Sequence, residues 1–137
     1  MTGEFQHTID AKGRLFVPAK FREELGDRFV VTKGLDNCLF VYSKENWDTL
    51  EEKIRALPLS KANLQRFFLS SAIECELDSQ GRILIPQSLR DHAFLTREAT
   101  VIGVSSRAEI WDMKRWGEYN SAMTSDKIAE AMDEIGF

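Results

Sequence analysis

At 137 residues, with a formal net charge of -4, 43% hydrophobic and 29% charged residues, the chain has the length and balance of one soluble globular domain, or of two small halves that share a core. No stretch approaches the roughly 18 apolar residues of a bilayer-spanning helix, and the opening Met1-Thr-Gly-Glu-Phe-Gln-His lacks the basic start and apolar run of a secretory signal, so a cytoplasmic location with no membrane partner is expected. The acidic total excludes a protein that coats nucleic acid by bulk charge alone.

Glu4 to Asp10 alternates, with Phe5, His7 and Ile9 on one face, which predicts a half-buried strand and makes His7 an inner, hydrogen-bonded histidine. Ala11-Lys12-Gly13 makes a turn in which Gly13 suits a positive φ. Arg14 to Val17 is then the return strand of a hairpin with a charged tip. Pro18 fits the first turn of a short helix, Ala19 to Leu25, which Gly26 can end. Phe29 to Lys33 and Cys38 to Tyr42 form a second hairpin around Gly34-Leu-Asp-Asn37. Ser43 can cap a helix running toward Leu57, with Trp47, Leu50 and Ile54 as its apolar stripe. Pro58 ends that helix, and Ser60 can cap another whose buried face is Leu64, Phe67 and Phe68.

The same unit then recurs. At an offset of 68, Phe5, His7 and Ile9 map onto Ile73, Cys75 and Leu77, and Asp10, Gly13, Arg14, Pro18 and Arg22 map onto Asp78, Gly81, Arg82, Pro86 and Arg90. After one inserted residue, Gly34, Val41, Tyr42 and Trp47 map onto Gly103, Ile110, Trp111 and Trp116 at an offset of 69. Two copies of this length are too few and too long for a solenoid, so the arrangement expected is an intramolecular pseudo-dimer. Beyond Trp116, Ala122-Met123, Ile128, Ala129, Met132 and Ile135 predict an acidic amphipathic helix whose apolar stripe packs on the body or on a neighbouring subunit.

Cys38 and Cys75 belong to no C-x-x-C pair and sit among strand formers, so they are expected as small buried thiols. His7 and His92 do not complete a ligand set around them, and neither a metal nor a cofactor is expected. Asp10 and Asp78, related by the repeat, could form a proton-sharing dyad. Each, however, precedes an arginine by four residues, which would hold the carboxylate ionised, and no nucleophile elbow, phosphate loop or H-E-x-x-H supplies the rest of an active site. No enzyme and no small-molecule substrate are therefore expected, and Asp10, Gly13, Asp78 and Gly81 are assigned to bracing the two turns.

Charge is unevenly placed. Residues 10 to 22 carry Lys12, Arg14, Lys20 and Arg22 against Asp10 alone, a local balance of +3, whereas residues 111 to 137 sum to -3. A basic hairpin can enter the DNA major groove, where arginine reads guanine and lysine neutralises phosphate. The second copy is less basic, with Gln80 in place of Lys12 and Ser88 in place of Lys20, so Arg82 is either an auxiliary contact or a structural partner.

The stretches at 3 to 15 (GEFQHTIDAKGRL), 32 to 42 (TKGLDNCLFVY), 74 to 83 (ECELDSQGRI) and 101 to 104 (VIGV), with two D-x-x-x-R motifs, resemble the MraZ family of AbrB-related bacterial regulators. The resemblance implies an α+β fold of two AbrB-like swapped-hairpin halves closing a pseudo-dimeric β-barrel with flanking helices. It divides the chain into a first half with its helix (1–57), a helical link (58–70), a second half (71–117) and the acidic tail helix (118–137). It also implies a nucleoid-associated transcriptional repressor of its own cell-division and cell-wall operon, binding short direct repeats in double-stranded DNA as a ring-shaped homo-oligomer. The family's DNA-contacting basic residues fall on Lys12 and Arg14, its second-motif arginine falls on Arg82, and Lys20 and Arg22 are added by position. A ring would also resolve the charge problem, because several weak +3 patches on one scaffold gain by effective concentration. The rival reading is a ring-forming interaction scaffold for which DNA binding is incidental.

Overall fold

The computed structural model describes residues 1–137. Strands β1 (Thr2–Thr8) and β2 (Arg14–Phe16) precede helix α1 (Ala19–Leu25). Strands β3 (Arg28–Lys33) and β4 (Leu39–Ser43) then lead into α2 (Lys44–Arg55) and α3 (Ala62–Leu69). The second copy follows as β5 (Ile73–Glu76), β6 (Arg82–Leu84), α4 (Gln87–His92), β7 (Glu98–Val104), β8 (Arg107–Asp112) and α5 (Met113–Ala122), before a last helix, α6 (Ser125–Glu134). The result is α+β: an antiparallel six-stranded sheet in the order β1-β7-β8-β4-β3-β5, and a separate two-stranded ribbon of β2 and β6. Because β1 and β5 do not pair with each other, the ladders form no continuous hydrogen-bonded barrel.

The hairpin expected at 4–17 does not form. Its turn is present, closed by the Asp10 N–H to the Arg14 carbonyl and the Gly13 N–H to the Asp10 carbonyl, both at 3.0 Å. The strands on either side then part: β1 pairs with β7, and β2 pairs with β6 through Leu15↔Ile83. Two further bonds lock the copies together, from the Val17 N–H to the Gly81 carbonyl (3.0 Å) and from the Ile85 N–H to the Gly13 carbonyl (2.9 Å). Each copy therefore completes its partner's turn strand. Local turn chemistry is readable from sequence, whereas the identity of the pairing strand is a long-range property.

The core is correspondingly shared. Leu15, Val17, Phe21 and Leu25 from the first copy meet Ile83, Ile85, Leu89 and Ala93 from the second in one buried cluster. Pairing registers refine the repeat alignment. Val31 pairs with Val41 where Val101 pairs with Ile110, so β3 answers to β7 at an offset of 70 while β4 answers to β8 at 69. Gly34 and Gly103 are thus not equivalents. Gly34 lies in the loop after β3, where a Cβ would meet the Phe40 ring, and Gly103 lies inside β7 against the backbone of Met1 and Thr2.

Several local expectations are corrected. Ser60 sits inside a short 3-10 turn (Leu59–Lys61) and caps nothing, and Leu64 is exposed while Phe67 and Phe68 are half-buried. His7 is half-buried against Phe16, with ring centroids 6.1 Å apart, and its imidazole has no hydrogen-bond partner. Beyond Trp116 the chain forms two helices instead of one, because the Thr124 hydroxyl accepts the Lys127 N–H (3.3 Å) and caps a new helix there. Every residue from Gly117 onward is exposed, so α6 does not pack on the body. Cys38 and Cys75 are buried free thiols, and burial pushes the Cys75 thiol up to about 11.

Candidate nucleic-acid interface

The two Asp-x-x-x-Arg turns are built alike. Asp10 Oδ1 accepts the backbone N–H groups of Lys12 (3.0 Å) and Arg14 (2.9 Å), and its Oδ2 accepts Arg14 Nε (2.6 Å). Asp78 accepts Gln80 N–H and Arg82 N–H (both 2.9 Å) and Arg82 Nε (2.8 Å) in the same way. A carboxylate accepting two main-chain donors fixes the turn, and Gly13 and Gly81 close it at φ of 87° and 80°. These N–H bonds, led by that of the following arginine, hold both carboxyls below the usual value of 3.8. This is the opposite of what a proton-sharing dyad requires.

The pKa direction predicts an acid limb. The unfolded carboxyls titrate near 3.8 and the folded ones lower. Their contribution to stability is therefore complete above the unfolded value and disappears as pH falls through the folded one. Urea midpoints from circular dichroism should fall between pH 5 and pH 3, and Asp10→Asn with Asp78→Asn should flatten that decline while lowering the midpoint at pH 7.

The arginines that follow are not equivalent. Arg82 is the more enclosed, with 18% of its side chain exposed against 34% for Arg14. Its Nη1 reaches across to Asp10 Oδ2 at 3.8 Å, and its guanidinium stands 5.8 Å from the Phe16 ring centroid. Arg14 uses only Nε within the protein, which leaves the Nη groups available for two parallel hydrogen bonds. In the β2–β6 ribbon Leu15 and Ile83 point inward, and Arg14, Phe16, Arg82 and Leu84 form the outer face, with Leu84 59% exposed. Lys12 stands exposed at the tip of the first turn. Arg14, Arg82, Asp78 and Glu76 line a shallow groove beside the ribbon, so the second side is the more acidic one.

Lys20 and Arg22 lie elsewhere. Lys20 Nζ is beside Gly3, at the far end of β1 from the Asp10 turn. Arg22 is half-buried, donates from Nε to the Val17 carbonyl (2.8 Å) and lays its guanidinium over Gly81. Arg90 repeats the arrangement, with Nε to the Ile85 carbonyl (2.9 Å) and its guanidinium over Gly13. Sequence reasoning left Arg90 without a role, although its recurrence at the same offset as the aspartates was the available signal. It also passed over Arg97, whose carbonyl accepts the Ile9 N–H (2.6 Å) and which lines a groove with Asp10 and Ala11.

Residues 1–67 and 68–135 each match the family described as "MraZ protein, putative antitoxin-like". The chain is 58% identical over 139 residues to a protein of Alkaliphilus metalliredigens called transcriptional regulator MraZ, which covers 98% of this chain and 97% of the relative. A protein of the same name from Thermoanaerobacter pseudethanolicus is 56% identical over 140 residues, covering 98% of both chains. One from Desulforamulus reducens is 58% identical over 138 residues, covering 97% of both.

Proposed function

The chain belongs to the MraZ family, and we propose that it is a sequence-specific DNA-binding regulator that represses its own cell-division and cell-wall operon. The observation that carries this reading is the first turn: the ionised Asp10 braces the backbone and holds Arg14 by Nε alone, so Lys12 stands exposed at the tip and the Nη edge of Arg14 has no partner within the protein. A two-stranded antiparallel ribbon fits the major groove, where an arginine edge pairs with guanine O6 and N7 and an exposed apolar side chain such as Leu84 can meet a thymine methyl. Arg82, tied to both aspartates, shapes the ribbon and reaches DNA as a secondary contact. Lys20 serves a phosphate farther along the duplex, and Arg22 acts by holding the turn. The chain is no enzyme: its relatives are named as regulators, and its two recurrent carboxyls stay ionised.

One subunit of charge -4 with a single basic turn binds weakly. A ring of identical subunits meeting direct repeats on the nucleoid multiplies that contact through effective concentration. The test is a salt series with labelled duplex from immediately upstream of the gene. Lys12→Ala should weaken binding and lower the slope of log K against log salt by about one for each subunit engaged. Binding that shows no sequence preference and is lost above near-physiological salt would favour the scaffold reading instead.

A further inference from the structure

The residue that flanks each Asp-x-x-x-Arg turn comes from the other copy. Glu98 of β7 pairs with Thr8 of β1 just before the first turn, and Arg28 of β3 pairs with Glu76 of β5 just before the second. With β3 answering to β7 at an offset of 70, the residues that precede these two strands take the same place. They are Arg97 beside the first turn and Asp27 beside the second, so the fold sets opposite charges at equivalent positions. Around the first turn Lys12, Arg14 and Arg97 stand with Asp10 and Glu98, three cations to two carboxylates. Around the second, Arg82 and Arg28 stand with Asp78, Glu76 and Asp27, two to three. Nothing inside the protein accounts for Arg97. The bond from the Ile9 N–H to its carbonyl (2.6 Å) pins its backbone next to the first turn, where it borders an open groove of about 420 Å³ with Asp10 and Ala11. It is exposed, and its guanidinium has no partner within the chain. The other arginines near the turns are occupied: Arg28 lies 3.9 Å from Glu76, and Arg22 and Arg90 each hold a carbonyl and cover a glycine.

We infer that Arg97, supplied by the second copy, binds a backbone phosphate beside the base pairs met by the first turn, and that Asp27 at the equivalent place repels phosphate from the second turn. The inference rests on the DNA-binding reading above and adds to it a residue and a direction. A ribbon seated in a major groove about 12 Å wide has the phosphates of the groove walls on either side of it. Contacts to those phosphates fix register and orientation without reading sequence. A pseudo-two-fold ribbon would otherwise dock equally well in two orientations, with either turn leading. One cation in place of one carboxylate breaks that tie, because it adds an attraction to one orientation and a like-charge repulsion to the other. Lys12 against Gln80 acts in the same sense.

The test is a salt titration of the full chain against labelled upstream and unrelated duplexes. Arg97→Ala should weaken both by similar factors, on the order of 5-fold for each subunit engaged near physiological salt, and lower the slope of log K against log salt by about one per subunit. Arg97→Lys should restore the slope, because a phosphate contact needs the charge and not the planar fork. Asp27→Arg should tighten binding to the unrelated duplex and steepen the slope. Lys53→Ala removes the same charge from α2, away from the ribbon, and should leave the slope unchanged. An unmodified chain with no preference for the upstream duplex, or a Lys12→Ala chain with an unaltered slope, overturns the DNA reading and this inference with it. An unaltered slope in Arg97→Ala, where Lys12→Ala has lowered it, overturns the role of Arg97 and leaves the DNA reading intact. A loss in Arg97→Ala that Arg97→Lys does not recover, or that Lys53→Ala equals, also overturns it, as the mark of a structural or a net-charge effect. Unchanged binding in Asp27→Arg overturns the repulsion at the second turn.

Discussion

Arg14→Ala should bind the upstream duplex about 5- to 150-fold more weakly, equivalent to roughly 1–3 kcal/mol, with a much smaller loss on unrelated DNA. The asymmetry of the two turns is the reason. Arg14 spends one nitrogen on Asp10 and keeps the rest free, whereas Arg82 is committed to Asp78, Asp10 and the Phe16 ring. Arg14→Lys separates charge from recognition, because a lysine keeps the electrostatic attraction and loses the planar fork. It should retain affinity for unrelated DNA and still lose discrimination. Arg82→Ala should instead lower thermal stability first, and weaken DNA binding less than Arg14→Ala, through a loosened ribbon and the loss of a secondary contact. Fluorescence anisotropy against both duplexes, with folding and oligomeric mass checked for each variant, decides the matter. Undiminished specificity in a folded Arg14→Ala variant would remove the first turn from the interface.

The second large effect concerns stability. Gly13→Ala should cost about 2–4 kcal/mol, because two penalties coincide there. The residue has φ of 87°, which an L side chain adopts only with strain, and its Cβ would stand 2.8 Å from the Arg90 guanidinium carbon and 3.0 Å from the Ile85 carbonyl. Gly81→Ala meets the corresponding conflict with Arg22. A double-mutant cycle distinguishes strain from crowding: Arg90→Ala placed on Gly13→Ala should recover part of the loss, whereas Arg22→Ala on the same background should not. Chemical denaturation supplies the four free energies. Strict additivity of Gly13→Ala and Arg90→Ala would mean that the guanidinium moves aside at no cost.

The parts of this architecture that were legible in sequence are the ones decided locally or by recurrence. Asp10-x-x-Gly-Arg specifies a braced turn from its own side chains, and its return at Asp78 announces a pseudo-two-fold. Pro18, Gly26 and Ser43 mark helix boundaries where the chain places them. What failed depended on partners far away. Arg14 to Phe16 reads equally well as the return of a hairpin or as a strand given to another copy, and only the competition between β1 and β6 for its edge decides. Arg22 looks like one more cation in a basic segment until the fold lays it on Gly81. The α6 stripe has the period of a buried helix, yet a two-residue link leaves it outside. At the candidate site the exposed tip at Lys12 and the bracing of Arg14 by Asp10 were legible, and the different partners of Arg14 and Arg82 were not.

The exchange of strands between the copies also sets the order in which the molecule can come into being. β1 cannot pair until β7, at residues 98–104, has been made, and β2 must wait for β6. At ribosomal speeds of about 5–20 residues per second, the first strand stays unpaired for roughly 5–20 s. Neither repeat holds a complete set of strand partners, so neither is a stable unit on its own, and contacts between residues nearly a hundred positions apart slow the search for the native pairing. A chain broken off within the second repeat therefore leaves the cell with no half-functional regulator; it leaves an unfolded polypeptide.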